Sequence, residues 1–253
     1  MLFVSGIALF VGGATMLGAV LGCFVKKENP KLNGAVLAFA AGLMTAAAVL
    51  ELIAPALDSG AAADFYTALA GTFSGACFVA SSAAASPLFR RFGGGRLLRG
   101  VPEAQTTQAK RALLFVLAIA LHNIPEGFAA GVACGQQGRA EAFTVALGIA
   151  LQNVPEGMVL LPPMRAAGLP GKRALVLALS TGAVEIAGTF FGRAMAASPL
   201  AVSWFLPAFA GGAMLYIVFA EALPESFSAG GARIAGFGSL AGFAAMLVTS
   251  RVI

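Results

Sequence analysis

Long apolar runs, separated by short polar clusters, follow one another along almost the whole chain. A helix that crosses a membrane needs about 20 predominantly apolar residues. Eight stretches meet this requirement, at about 2–25, 33–57, 63–86, 110–134, 140–162, 173–193, 200–223 and 231–251. Strands of an outer-membrane barrel would alternate apolar and polar residues, and these runs do not. The pattern predicts an all-α integral membrane protein with eight transmembrane helices in a single domain, 1–253.

Composition excludes a soluble domain. Hydrophobic residues make up 59% of the chain and charged residues only 11%, whereas soluble domains carry roughly 25% charged residues. The first run has no basic residue before it and no small-residue cleavage site after it, so we interpret it as a permanent helix and not a signal peptide. The longest polar segment, about 87–109, is interpreted as a flexible cytoplasmic linker because it is rich in glycine and arginine.

Basic residues predict the orientation, because cytoplasmic loops of membrane proteins retain Lys and Arg. An external N-terminus leaves only Arg139, Arg193 and Arg251 outside. The cytoplasmic set is then Lys26, Lys27, Lys31, Arg90, Arg91, Arg96, Arg99, Lys110, Arg111, Arg165, Lys172, Arg173 and Arg233. Eight spans place both termini outside. The net charge of +5 thereby reflects topology, and a nucleic-acid partner, which would need a basic soluble face, is not expected.

Two internal repeats organise the helices. Residues 38–44 (AFAAGLM) match 208–214 (AFAGGAM), and the same offset of 170 superposes Glu51 on Glu221. The spans concerned, the second and the seventh, run in opposite directions, so this repeat is inverted. Residues 119–127 match 149–157 on the fourth and fifth spans. The predicted architecture is three helices, a central pair and three inverted helices, an arrangement typical of secondary transporters.

Cysteine and glycine positions indicate packing. The three cysteines fall on different spans without CxxC spacing, which argues against a disulfide framework and against a thiolate zinc site. Glycines at four-residue spacing, such as Gly18/Gly22, Gly71/Gly75 and Gly188/Gly192, predict close contacts between helices.

Three carboxylates, Glu126, Glu156 and Glu185, are predicted to lie deep in the membrane. Each costs about 2.5 to 3.5 kcal/mol on insertion scales, and spans four to six hold no Lys or Arg at comparable depth. A divalent cation is the natural counter-charge. We expect this cation to be bound by the central helices.

Ligand spacing supports the same interpretation. His122 and Glu126 are four residues apart, as are Gln152 and Glu156, so each pair projects from one helix face. Pro125 and Pro155 free backbone carbonyls within each motif. Imidazole, carboxylate and amide ligands suit Zn, Fe, Mn or Cd.

A second group of candidate ligands comprises Asn123, Asn153 and Glu185. With this group in place, Glu126 and Glu156 would bridge two ions. Acids nearer the helix ends, namely Glu51, Asp58, Glu221 and Glu225, fit either interfacial positions or a transport pathway.

These residues resemble the ZIP (Zrt/Irt-like) family of metal-ion transporters, in particular its bacterial GufA-like branch. The resemblance rests on HNIPEG at 122–127 and QNVPEG at 152–157, supported by STGAVE at 180–185 and GGAMLY at 211–216. It implies a primary metal site of His122, Glu126, Gln152 and Glu156. It also implies a second, adjoining site completed by Asn123, Asn153 and Glu185. It further implies that Met44, Glu51 and Asp58 line the entrance from outside. Ser180 and Glu221 are two further predicted pathway residues.

The resemblance further implies import of Zn²⁺, and also of Cd²⁺, Fe²⁺ or Mn²⁺, across the inner membrane, with helices 1, 4, 5 and 6 moving as an elevator against helices 2, 3, 7 and 8. No organic cofactor and no enzymatic activity are expected, and a homodimer is a candidate assembly. Many members carry His at the position of Gln152 and some carry Asp at that of Asn153, so we expect broad selectivity and a weak second site.

Two alternatives remain open from the residues. An intramembrane metal-dependent hydrolase would place His and Glu at the same depth, but its usual HExxH motif does not occur. A metal channel or an exporter could use the same site, and residue types alone do not distinguish either from an importer.

Overall fold

A computed structural model of the protein describes residues 1–24, 29–84, 98, 100–197 and 204–252. These residues are overwhelmingly helical and contain no strand. Most of the predicted linker lies outside the described residues, as do six of the basic residues used to predict orientation: Lys26, Lys27, Arg90, Arg91, Arg96 and Arg99.

In the described part of the chain, eight helices of 13 residues or more lie at the positions of the eight predicted spans. They are α1 (Leu2–Gly22), α2 (Pro30–Ala47), α3 (Ala62–Ala84), α4 (Thr106–Gln136), α5 (Arg139–Ala166), α6 (Gly171–Ala196), α7 (Phe205–Ile217) and α8 (Ala232–Val252). Within the described residues, seven helices are long and apolar enough to cross a membrane. The remaining helix, α3, is not among them.

Helices α2 and α7 each continue through a π-helical turn into a short further helix. The two turns are Ala48–Ile53 and Val218–Ala222, and the extensions end at Asp58 and Gly230. The seventh predicted span, 200–223, therefore ended too early: the chain passes Pro224, which is tolerated because proline fits the first turn of a helical segment. The π turns lie at positions related by the 170-residue repeat and contain Glu51 and Glu221.

The helices pack as two groups. The first group is α1, α4, α5 and α6, in which α4 packs chiefly on α6 and α1 packs on α5 and α6. The second group is α2, α3, α7 and α8, in which α3 packs on α7 and α2 packs on α8 and on the extension of α7. The helices that carry each pair of matching stretches lie in the same group: α4 and α5 belong to the first group, and α2 and α7 belong to the second.

Glycines bring the helices of each group into contact. A Cβ atom would overlap the carbonyl of Val154 at Gly18, that of Phe209 at Gly75 and that of Phe128 at Gly192, which confirms the predicted close packing. Every described helical glycine that approaches the backbone of another helix does so within its own group. Between the groups, by contrast, Met44, Ile149 and Ile217 belong to one buried cluster of apolar side chains.

Candidate metal centre

The seven residues predicted as ligands are all buried. The exposed fraction of each of the seven residues is 6% or less. They lie on α4 (His122, Asn123, Glu126), α5 (Gln152, Asn153, Glu156) and α6 (Glu185), and thus all belong to the first group. Glu156 and Glu185 are close enough to Glu126 to interact with it electrostatically.

The two repeated motifs meet directly. Gln152 Nε2 on α5 donates a hydrogen bond of 2.7 Å to Glu126 Oε1 on α4. Both residues have no exposed surface. The i, i+4 spacing groups the ligand types on one face of each helix. This hydrogen bond shows that the two faces contact one another.

Glu185 is held by two neutral donors. Asn153 Nδ2 donates to its Oε1 at 2.5 Å, and Thr15 Oγ1 on α1 donates to its Oε2 at 2.7 Å. Asn153 Nδ2 also donates to the carbonyl of Val11 at 3.3 Å. Thr15 was not among the predicted site residues, because a lone threonine in an apolar helix carries no pattern that distinguishes it from a packing residue.

Four buried oxygens at this centre have no hydrogen-bond donor: Asn123 Oδ1, Glu126 Oε2, Gln152 Oε1 and Asn153 Oδ1. The nitrogens of the three amides are all engaged, since Asn123 Nδ2 donates to the carbonyl of Thr181 at 3.2 Å. A buried acceptor without a donor costs roughly 1 to 3 kcal/mol. Oxygens left in this way are complementary to a cation.

The centre is not built from charged ligands alone. Among the residues that the structure describes, no three His, Cys, Asp or Glu side chains are grouped so that they could hold a metal ion. Three of the seven predicted ligands are amides. The donor set is therefore rich in oxygen and carries one imidazole, a combination that suits borderline divalent ions.

A cavity of about 90 Å³ reaches the centre from one side. Met44, His122, Glu156 and Glu221 contribute to its lining. His122 Nδ1 lies 3.8 Å from Glu221 Oε2, across the boundary between the two groups. The structure thus brings two of the predicted pathway residues, Met44 and Glu221, to the predicted site.

This cavity adjoins a larger one of about 440 Å³, and both are lined by Leu37, Phe115 and Glu225. The larger cavity extends to Pro30 at the start of α2 and to Pro163 near the end of α5. It therefore lies towards the end of the bundle that the basic residues predict to be cytoplasmic.

The other predicted pathway residues lie away from these cavities. Asp58 is exposed at the end of the α2 extension, and Ser180 is exposed with its hydroxyl donating to the carbonyl of Leu177. The backbone carbonyl of Glu51 accepts a 3.1 Å hydrogen bond from Gln137 Nε2 at the end of α4. Pro55 has no N–H to donate to that carbonyl, so the proline leaves it available.

The glycine that ends each motif allows the backbone of another helix to pack closely against the motif. A Cβ atom on Gly127 would overlap the carbonyl of Glu185 on α6, and one on Gly157 would overlap the carbonyl of Thr15 on α1. These two glycines bring Glu185 and Thr15 to the centre. The motifs are visible in the sequence, but this role of their last residue depends on the packing of α1 and α6.

Gly157→Ala is expected to lower both stability and metal affinity. The added methyl group must push α1 from α5, because it meets backbone atoms that cannot rotate away; overpacking of this kind typically costs about 1 to 3 kcal/mol. Gly13→Ala, on the outward side of α1 with open space around the Cβ position, is the matched control. Thermal unfolding of purified protein measures the difference. Equal midpoints for the two variants would contradict the packing described for Gly157.

Comparison with known proteins places these features in a family. The sequence model described as ZIP Zinc transporter matches residues 100–250. A protein named Zinc transporter GufA, from Myxococcus xanthus, is 45% identical over 143 residues, which cover 56% of each chain. Zinc transporter ZupT of Corynebacterium glutamicum is 33% identical over 98% of both chains. Zinc transporter ZIPB of Bordetella bronchiseptica is 33% identical over 92% of this chain and 76% of that relative. The chain thus matches about half the length of the first relative and nearly all of the second.

Proposed function

Because the chain belongs to the ZIP family of zinc transporters, we propose that it is a secondary transporter that imports divalent transition-metal ions, Zn²⁺ foremost, into the cytoplasm. The observation that most supports this proposal is the set of four buried oxygens in the two repeated motifs that accept no hydrogen bond. Family membership assigns a transporter and not an enzyme, which removes the hydrolase alternative. Cd²⁺, Fe²⁺ and Mn²⁺ are further proposed substrates because amide and carboxylate oxygens do not select strictly for Zn²⁺.

The proposed substrate site comprises His122, Glu126, Gln152 and Glu156. Two carboxylates balance one divalent ion, and His122 supplies the single nitrogen ligand. Asn123, Asn153 and Glu185 form the proposed adjoining group, which would accept a second ion only weakly because both oxygens of Glu185 already accept hydrogen bonds.

Access between the site and the cytoplasm, which import requires, is supported by the cavities. The larger cavity ends near Pro30 and Gln108, close in sequence to Lys31 and Lys110, which the distribution of basic residues predicts to be cytoplasmic. We infer that the site is reached from the cytoplasm in this conformation. The proposal accordingly places eight helices in the cytoplasmic membrane with both termini outside.

An elevator movement is supported by the way the two groups pack. Backbone contacts at glycines hold helices together within each group, whereas apolar side chains meet between the groups. Gly148 is the described glycine whose Cβ position faces the other group, and it meets side chains only. All seven proposed ligands lie in the first group, so this group could move as a unit against the second without dismantling the site.

Transport is tested with proteoliposomes that contain a dye sensitive to Zn²⁺ and Cd²⁺. Wild-type protein is expected to give saturable uptake, and His122→Ala is expected to raise the KM for Zn²⁺ by more than about tenfold, because loss of a ligand costs more than loss of an outer-shell partner. The same change should affect Mn²⁺ less, because imidazole contributes more to Zn²⁺ binding.

The matched control is Glu103→Gln, an exposed acid before α4, which is expected to match the wild type. Uptake that is unchanged in both His122→Ala and Glu156→Ala would contradict the proposed site. Flux without saturation would instead indicate a channel.

A further inference from the structure

Thr15 differs from the other threonines in where its hydroxyl donates. Thr45, Thr72, Thr144 and other described threonines donate to a carbonyl three or four residues earlier in the chain, the usual choice of a threonine in a helix. Thr15 instead donates across the helix boundary to Glu185 Oε2 at 2.7 Å. Thr15 is only 1% exposed.

Glu185 in turn fixes the amide of Asn153. Asn153 Nδ2 has two hydrogens, and its two acceptors are Glu185 Oε1 and the carbonyl of Val11. With both hydrogens engaged towards α1 and α6, the amide cannot exchange its nitrogen and oxygen. Asn153 Oδ1 is consequently turned away from these partners, and it is one of the four buried oxygens without a donor.

We propose that Thr15 is a positioning residue for the metal site: its hydrogen bond to Glu185 holds Asn153 so that Oδ1 is presented as a metal ligand. This inference rests on the proposed function and refines it: within the adjoining group, Asn153 is the ligand and Glu185, whose two oxygens both accept hydrogen bonds, orients it. The Thr15 hydroxyl donates to Glu185 Oε2, the carboxylate oxygen that could otherwise turn towards the ion. The site thereby keeps a neutral amide oxygen where a third carboxylate would compete.

Position 157 explains why a threonine of α1 can do this. Gly157, immediately after the second proposed acid, lets the backbone of Thr15 approach α5 without a Cβ atom in between. Sequence spacing places Gly157 in the motif, but only the packing of α1 against α5 pairs it with Thr15.

The test compares Thr15→Val, which removes the hydroxyl at nearly constant volume, with Thr15→Ser, which retains it. Equilibrium Zn²⁺ binding to purified protein and the KM of uptake are both measured. Thr15→Val is expected to weaken Zn²⁺ binding roughly tenfold, the lower end of the usual effect of outer-shell partners, and Thr15→Ser is expected to bind as the wild type does. Thr144→Val is the matched control, because Thr144 is a buried threonine that donates within its own helix.

A double variant separates positioning from general packing. If Thr15 acts through Asn153, Thr15→Val should weaken binding no further in an Asn153→Ala background. Multiplicative losses in the double variant, or wild-type affinity in Thr15→Val, would overturn the positioning role. Wild-type protein that binds Zn²⁺ but does not carry it would overturn the proposed transport alone, since the affinity comparison still decides the role of Thr15. Wild-type protein that binds no Zn²⁺ would overturn both.

Discussion

Glu126→Gln is expected to reduce Zn²⁺ uptake by at least about 100-fold, beyond the usual effect of an outer-shell change. Glu126 Oε1 accepts the hydrogen bond from Gln152, so a glutamine side chain would keep its oxygen there. The amide nitrogen would then replace Oε2, the buried oxygen that has no donor. A donor and its hydrogens would thus stand where the proposed site offers an acceptor to the metal.

Stability measurements distinguish this loss from misfolding. Removing a buried charge is not expected to destabilise the protein in chelator, because burying an ionised carboxylate is costly in itself. Wild-type protein should gain about 2.7 kcal/mol of unfolding free energy when Zn²⁺ is present at 100 times its Kd, whereas Glu126→Gln should gain almost none. A variant that folds, is stabilised by Zn²⁺ as the wild type is and transports normally would remove Glu126 from the site.

Joining the two helix groups by a disulfide between positions 47 and 148 is expected to stop uptake completely. A Cβ atom on Gly148 would lie 3.7 Å from the Cβ of Ala47, within the separation of about 3.5 to 4.5 Å that a disulfide requires. Ala47 is on α2 and Gly148 on α5, so the bond would cross the boundary between the groups. The side chain of Met246 also reaches the Cβ position at Gly148, and its flexibility allows it to move aside.

The experiment uses Ala47→Cys/Gly148→Cys in a protein whose three native cysteines are replaced. Oxidation should reduce uptake to that of protein-free liposomes, and reduction of the disulfide should restore it. Equilibrium Zn²⁺ binding should persist in the oxidised protein, because every proposed ligand lies within the first group. The two single variants, treated with the same oxidant, control for damage to the site. Undiminished uptake by fully cross-linked protein would contradict the elevator and favour a fixed pathway.

The residue pattern predicted the helices well because hydropathy and span length are local properties. The positions of α4, α5 and α6 follow from their apolar runs, and the ends of most helices agree within a few residues. The end of the seventh span was the exception. The predicted helix ended at about 223, whereas the π turn Val218–Ala222 leads into a further helix that ends at Gly230.

The pattern also predicted that His122 and Glu126, like Gln152 and Glu156, share a helix face, because four-residue spacing is a local property; in the structure Gln152 meets Glu126. It did not predict how their atoms are used. Whether Asn153 offers its nitrogen or its oxygen depends on Glu185 and Val11, which lie on other helices. The predicted pathway residues also differ in their positions. Glu221 lies beside His122, whereas Ser180 is exposed and donates to the carbonyl of Leu177.

The sequence by itself determined the all-helical membrane character and the residue types and spacing of the central motifs. Periodicity and composition are sufficient for these, because each is decided within one or two helical turns. Only the tertiary structure decided that Thr15 donates to Glu185, that four motif oxygens lack donors and that the cavity extends towards the Pro30 end of α2. The approach of Thr15 and Glu185 to the centre depends on backbones that meet at Gly127 and Gly157. Contacts between a residue and a distant helix leave no periodic signal in the sequence.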